Sequence, residues 1–149
     1  MAKGPPKKLT LDNDEYHAQF VGRTKAGRQF FLTNPFVPAD DKAEGREFIA
    51  LYVFDKGGNL QSAAIEDLGP RSTMNEETLL ARRDVLLATL GDVKYQRIQI
   101  VPFRIEMFGV EFGFIPQQPE ELDEEWSVIV EPGNVMCFWP PWSSGDYDT

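Results

Sequence analysis

The apolar positions of this chain fall mostly into short runs that alternate with polar ones, and once into a run with helical spacing. Alternation puts successive side chains on opposite faces of a strand, whereas apolar residues at i, i+3 and i+4 line one side of a helix. EYHAQFVGRT, from Glu15, and RQFFLTNPFV, from Arg28, flank a short KAG loop and predict a hairpin that stops at Asn34-Pro35. REFIALYVFD and NLQSAAIEDL flank Lys56-Gly57-Gly58 and predict a second. In the first of these strands Phe48, Ala50, Tyr52 and Phe54 share one face while Ile49, Leu51 and Val53 share the other, so the strand is central, with both faces covered.

The helical run is STMNEETLLARRDVLLATLG, Ser72 to Gly91. Thr73 and Glu76 have capping-box spacing, Leu79, Leu80, Leu86, Leu87 and Leu90 make a stripe, and Gly91 supplies the left-handed stop. Arg82, Arg83 and Asp84 read as its solvated face. After it, KYQRIQIVPFRIEMFGVEFGFIPQ returns to strand character, with a turn at Phe108-Gly109 and an edge, bend or bulge at Pro102. WSVIVEPGNVMCFW reads as a last hairpin with its turn at Glu131-Pro132-Gly133-Asn134. Strands, one helix, then strands predict a single α+β domain: a curved antiparallel β-meander of about eight strands with one long helix packed on a face. Residues 1–13, polar and basic, read as a flexible N-terminal arm, and 14–149 as the domain.

The chain ends in FWPPWSSGDYDT. Two tryptophans and a phenylalanine are too apolar for a free tail, and two prolines lower the entropy cost of ordering it. The segment therefore reads as folding back over the domain. A motif displayed to a proline-reading partner lacks the PxxP pattern. In a third reading Trp139, Trp142, Asp146, Tyr147 and Asp148 rim a pocket.

Composition narrows the chemistry. A formal net charge of −9 disfavours nucleic acid and anionic membrane surfaces as partners and favours a protein with a basic patch. The acidic run Glu120, Glu121, Asp123, Glu124 and Glu125, with Trp126 as an aromatic anchor, is the candidate contact region; a plain solvated loop is the alternative. No run reaches the roughly 18 apolar residues of a membrane helix, and MAKGPPKKLT lacks the apolar segment of a secretion signal. One cysteine, Cys137, allows no internal disulfide and suits a reducing cytosol. It reads as an inert thiol in a strand, and the single histidine, His17, as a strand residue. One His and one Cys make no zinc set, the acidic pairs lack calcium-loop spacing, and no glycine run precedes a helix to hold phosphate. No catalytic, metal or cofactor-binding residue is expected.

Four stretches carry a resemblance: GRxxxGRQFF from Gly22 to Phe31, the FDxGG run from Phe54 to Gly58, IQIVPFRIEMFGVEFGFI from Ile98 to Ile115, and the closing PPWSSGDYDT. The chain resembles a family of short bacterial proteins that often bear the label "formate hydrogenlyase regulatory protein". The resemblance implies no catalytic residues. The helix, with Glu76, Glu77 and Asp84 against Arg82 and Arg83, is no DNA-reading helix, so regulation would act through protein contacts. The expected function is a non-catalytic cytosolic binding protein, regulatory or immunity-like; the alternative is a small-molecule binder or enzyme with a tryptophan and carboxylate pocket near the tail.

Overall fold

A computed structural model describes residues 4–122 and 124–149. The strands before the helix are β1 Leu9–Leu11, β2 Phe20–Thr24, β3 Gln29–Thr33, β4 Phe36–Val37, β5 Arg46–Phe54 and β6 Leu60–Pro70. The helix α1 is Glu76–Ala88. After it come β7 Val93–Tyr95, β8 Ile98–Ile100, β9 Phe103–Met107, β10 Val110–Gln117, β11 Ser127–Glu131 and β12 Cys137–Phe138.

β5 organises the larger sheet. It pairs along one edge with β6, and along the other with β3 at residues 50–54 and with β4 at residues 46–47. β2 and then β7 follow beyond β3, completing a six-stranded antiparallel sheet. As the double apolar pattern requires, Phe48, Ala50, Tyr52 and Phe54 enter one cluster and Ile49, Leu51 and Val53 another. The first is the main interior. Leu9 and Leu11 of β1, Ile98 and Ile100 of β8, and residues of β10, β11 and β12 close it from the far side. The second is a thinner layer under α1, where Leu86 is buried and Leu79, Leu87 and Leu90 are partly covered.

The α+β character with one helix on a sheet face matches the expectation; the single meander does not. Among the described residues twelve strands lie in three sheets: the six-stranded one, a four-stranded one in the order β12-β11-β10-β9, and the β1-β8 pair. The break falls inside the run that read as one strand from Lys94 to Val101. Val93–Tyr95 pairs with β2, whereas Ile98–Ile100 pairs with β1, so the chain leaves one sheet at Gln96-Arg97 and enters another. Gly22 permits the first of these contacts, because a Cβ there would sit 2.1 Å from the Lys94 carbonyl oxygen. The loose arm expected over residues 1–13 is corrected at its far end. Leu9 and Leu11 are fully buried, and burying two leucines outweighs the polar, proline-bearing character of the residues before them.

The helix start also differs in detail. Asn75, not Thr73, is the N-cap: its side-chain oxygen accepts from the Glu77 N–H at 2.7 Å, and Thr73 instead donates to the Pro70 carbonyl. Of the face read as solvated, Asp84 is exposed, whereas Arg82 and Arg83 are engaged by the sheet. Arg82 holds Glu66 of β6 through two bonds of 2.6 and 2.7 Å, and Arg83 stacks 5.0 Å over the ring of Phe20. The two arginines thus mark opposite flanks of α1, one over β6 and one over β2.

Candidate functional site

A cavity of about 360 Å³ lies on the outer face of the large sheet, beside α1. Its apolar lining comes from Leu32 and Ile49 of the sheet, Leu79 and Leu80 of the helix, and Phe20 and Phe36. α1 covers only part of the sheet face, which leaves this floor open: Leu80 is 38% exposed.

Polar groups stand around that floor. Glu47, only 7% exposed, accepts from Arg71 Nε at 3.0 Å and from Asn34 Nδ2 at 3.1 Å. A buried carboxylate needs such partners, because water no longer solvates it. The Arg71 guanidinium lies 4.4 Å over Phe36, and only its Nε is used on Glu47. Arg83 meets a carboxylate, Asp84, only at 3.5 Å. The cleft therefore carries two guanidiniums against one carboxylate on a chain whose net charge is −9.

Tyr16 and His17 form the remaining wall, on a loop rather than the strand expected from sequence. Asp14 shapes that loop. Its Oδ1 accepts from the N–H groups of Tyr16 and Ala18 at 2.9 and 3.0 Å, and its Oδ2 accepts from the Tyr147 hydroxyl at 2.6 Å. The Tyr147 oxygen in turn accepts from the His17 N–H at 3.0 Å. Burial works against the charged form of Asp14, but the bonds from Tyr147, Tyr16 and Ala18 outweigh it and hold the carboxyl below its ordinary value. Burial first, and then the bond to Asp14, push Tyr147 up to about 12. Tyr147 is thus a latch from the C-terminal segment onto the loop that walls the cleft.

The other residues singled out in the sequence do not gather at this cleft. Asp146 and Tyr147 line an open depression of about 510 Å³ with Asp12, Asp14 and Tyr16, whereas Trp139 and Asp148 border, with the same two residues, a separate one of about 160 Å³, below the roughly 300 Å³ at which small-molecule sites begin. Trp142 is not at its rim: the side chain packs on the main interior, and its carbonyl accepts from the Thr10 N–H at 2.8 Å. Trp139 is 44% exposed. The segment adds a bridge to β12, with Cys137 and Asp148 exchanging both backbone bonds at 2.8 Å. Glu120, Glu121, Glu124 and Glu125 are exposed, Trp126 is half-buried, and Asp123 lies outside the described residues. In the middle of the same loop Leu122 is fully exposed.

Burial pushes the Cys137 thiol up, so the neutral, unreactive form prevails. Among the described residues no three His, Cys, Asp or Glu side chains gather as a metal site, and no helix is long and apolar enough to cross a membrane. No family model, curated protein or solved structure matches the chain.

Sequence reading missed the cleft because its lining comes from six separate stretches of chain, and no single stretch carries its signature. Phe36 lies past the Asn34-Pro35 stop and Val135 in the returning strand of the last hairpin, and neither reads as part of a site.

Proposed function

We propose that the protein is a non-catalytic binding domain whose site is the cleft beside α1, and that its ligand is a small carboxylate with an apolar body. The carrying observation is the pairing of an apolar floor with Arg71 and Arg83 on an otherwise acidic chain. A volume of about 360 Å³ lies within the range of small-molecule sites, roughly 300–1,000 Å³. The aromatic body of a ligand would rest on Leu32, Ile49 and Phe36, and its carboxylate would meet the guanidiniums, whose planar donors suit that group. Glu47 rejects a second negative charge deeper in. Nothing in the lining supplies a nucleophile with an adjacent base, so binding is the reading rather than turnover. The lone cysteine favours the cytosol as its compartment.

The test is calorimetry and thermal shift with a panel of aryl and alkyl carboxylates, against the matching amides. A binder should raise the melting temperature of the wild type. Arg83→Gln should weaken it about tenfold, the value of one charge-assisted hydrogen bond. If no carboxylate binds better than its amide, or if Arg83→Gln binds as the wild type does, the reading fails.

A second reading keeps the protein-contact role for the loop after β10, favoured by Leu122 standing fully exposed among Glu120, Glu121, Glu124 and Glu125. An isolated apolar side chain ringed by charge resembles the centre and rim of a contact with a basic protein. Charge neutralisation of these four glutamates should slow association with a captured partner and flatten its salt dependence. Unchanged kinetics would leave the loop without a role.

A further inference from the structure

The strand β6 is eleven residues long and lies at the edge of the large sheet, paired only with β5. The direction of its free groups follows from the ladder. The Asp55 N–H bonds to Asn59 on the β6 side, whereas the Phe48 N–H bonds to Pro35 on the opposite side. Alternation along β5 then turns Ile49, Leu51 and Val53 toward β6. Their partners, Glu66, Ala64 and Ser62, spend their backbone groups on β5. The N–H and C=O groups of Ala63 and Ile65 therefore point outward, with no strand among the described residues beyond them.

Edge strands are normally guarded by lysine, proline, bulges or unpaired charge. The centre of β6 reads Ser62-Ala63-Ala64-Ile65 and has none of these. Bulges occur only toward its two ends. The acids that follow are already neutralised within the chain, Glu66 by Arg82 and Asp67 by Arg46. We infer that β6 pairs antiparallel with the β6 of a second copy, about a two-fold axis at Ala64.

This register satisfies the strand's chemistry. Residues whose numbers add to twice 64 face one another, so Ala63 and Ile65 exchange both outward hydrogen bonds with the partner strand. Ala64 meets its own copy at a non-hydrogen-bonded position, where side chains come closest and a methyl group fits. Ser62 faces Glu66, so no like charges are opposed, and the bulge at Gln61 ends the regular pairing. Val85, 47% exposed on the α1 flank that carries Arg82, extends the apolar surface above the seam. The result is a continuous sheet running through both copies, and it is independent of the cleft.

Sedimentation velocity of the full chain, at roughly 0.5 M salt where repulsion between two copies of charge −9 is screened, tests the pairing. A species of twice the 16.9 kDa chain mass is expected. Ala64→Lys puts two ammonium groups against each other at the axis and should raise the dissociation constant at least about tenfold. It should leave the circular dichroism spectrum unchanged, because Ala64 is exposed in the single chain. Should that variant misfold, Ala63→Pro removes an outward N–H without touching the β5 ladder and should also weaken the dimer. A chain that stays monomeric, or a dimer that the folded variant does not weaken, overturns the inference.

Discussion

Tyr52 lies at the centre of the main interior with its ring fully buried, in edge contact with Phe103 and tilted against Phe31. Among the described residues its hydroxyl is the one buried side-chain polar atom with no hydrogen-bond partner, and burial alone pushes its pKa above the ordinary tyrosine value. An unmet buried hydroxyl costs about 1–3 kcal/mol, whereas the ring supplies the packing. Tyr52→Phe should therefore be neutral or stabilise the fold by up to ~1 kcal/mol in urea unfolding; a loss above about 1 kcal/mol would mean that the hydroxyl has a partner. Position 52 was legible from sequence as an inward residue of a central strand, because the period of two assigns every member of REFIALYVF a face. That its hydroxyl would find no acceptor was not legible, since the neighbouring rings come from β3 and β9, distant in the chain.

Among elements, the C-terminal segment shows how a local reading and a tertiary role diverge. The residues that looked chemical, Trp139 and the acids, are largely exposed, whereas Tyr147 fastens the segment to the loop 14–18. The pH dependence follows from this latch. Asp14 titrates below its ordinary 3.8 in the folded chain, so its contribution is present above that value and is lost as pH falls through the folded pKa. Tyr147 titrates above its ordinary 10.0, at about 12, so its contribution is present below pH 10 and is lost as pH rises through the higher value. The gap in melting temperature between wild type and Tyr147→Phe should be widest between these limits and close on both sides. A gap that is constant with pH would show that the hydroxyl is not bonded to an ionised Asp14. The hairpins and the helix were legible because their signals are local: turn glycines, a cap, a stripe. The division of residues 93–100 between two sheets was not, because VKYQRIQI reads as one alternating run and nothing within it names the partner strand.

At the scale of the whole molecule, a surface of net charge −9 contains a cleft of opposite character beside α1, and among the described residues the long edge strand of the large sheet is left open. Both arise from the way one short helix sits. At thirteen residues α1 is too narrow to cover a six-stranded face, so the floor beside Leu79 and Leu80 stays open while Arg82 and Arg83 reach to either side. The sequence by itself determined the helix, the main hairpins, the α+β class and the two-sided burial of β5, because these depend on periodicities and turn residues a few positions apart. Only the tertiary structure decided that the strands divide into three sheets, that Leu9–Leu11 fills the interior, that Arg71 and Arg83 meet at one cleft, and which edge remains unpaired. Those outcomes depend on contacts between residues tens of positions apart, whose free energies come from burial and pairing that no local pattern encodes.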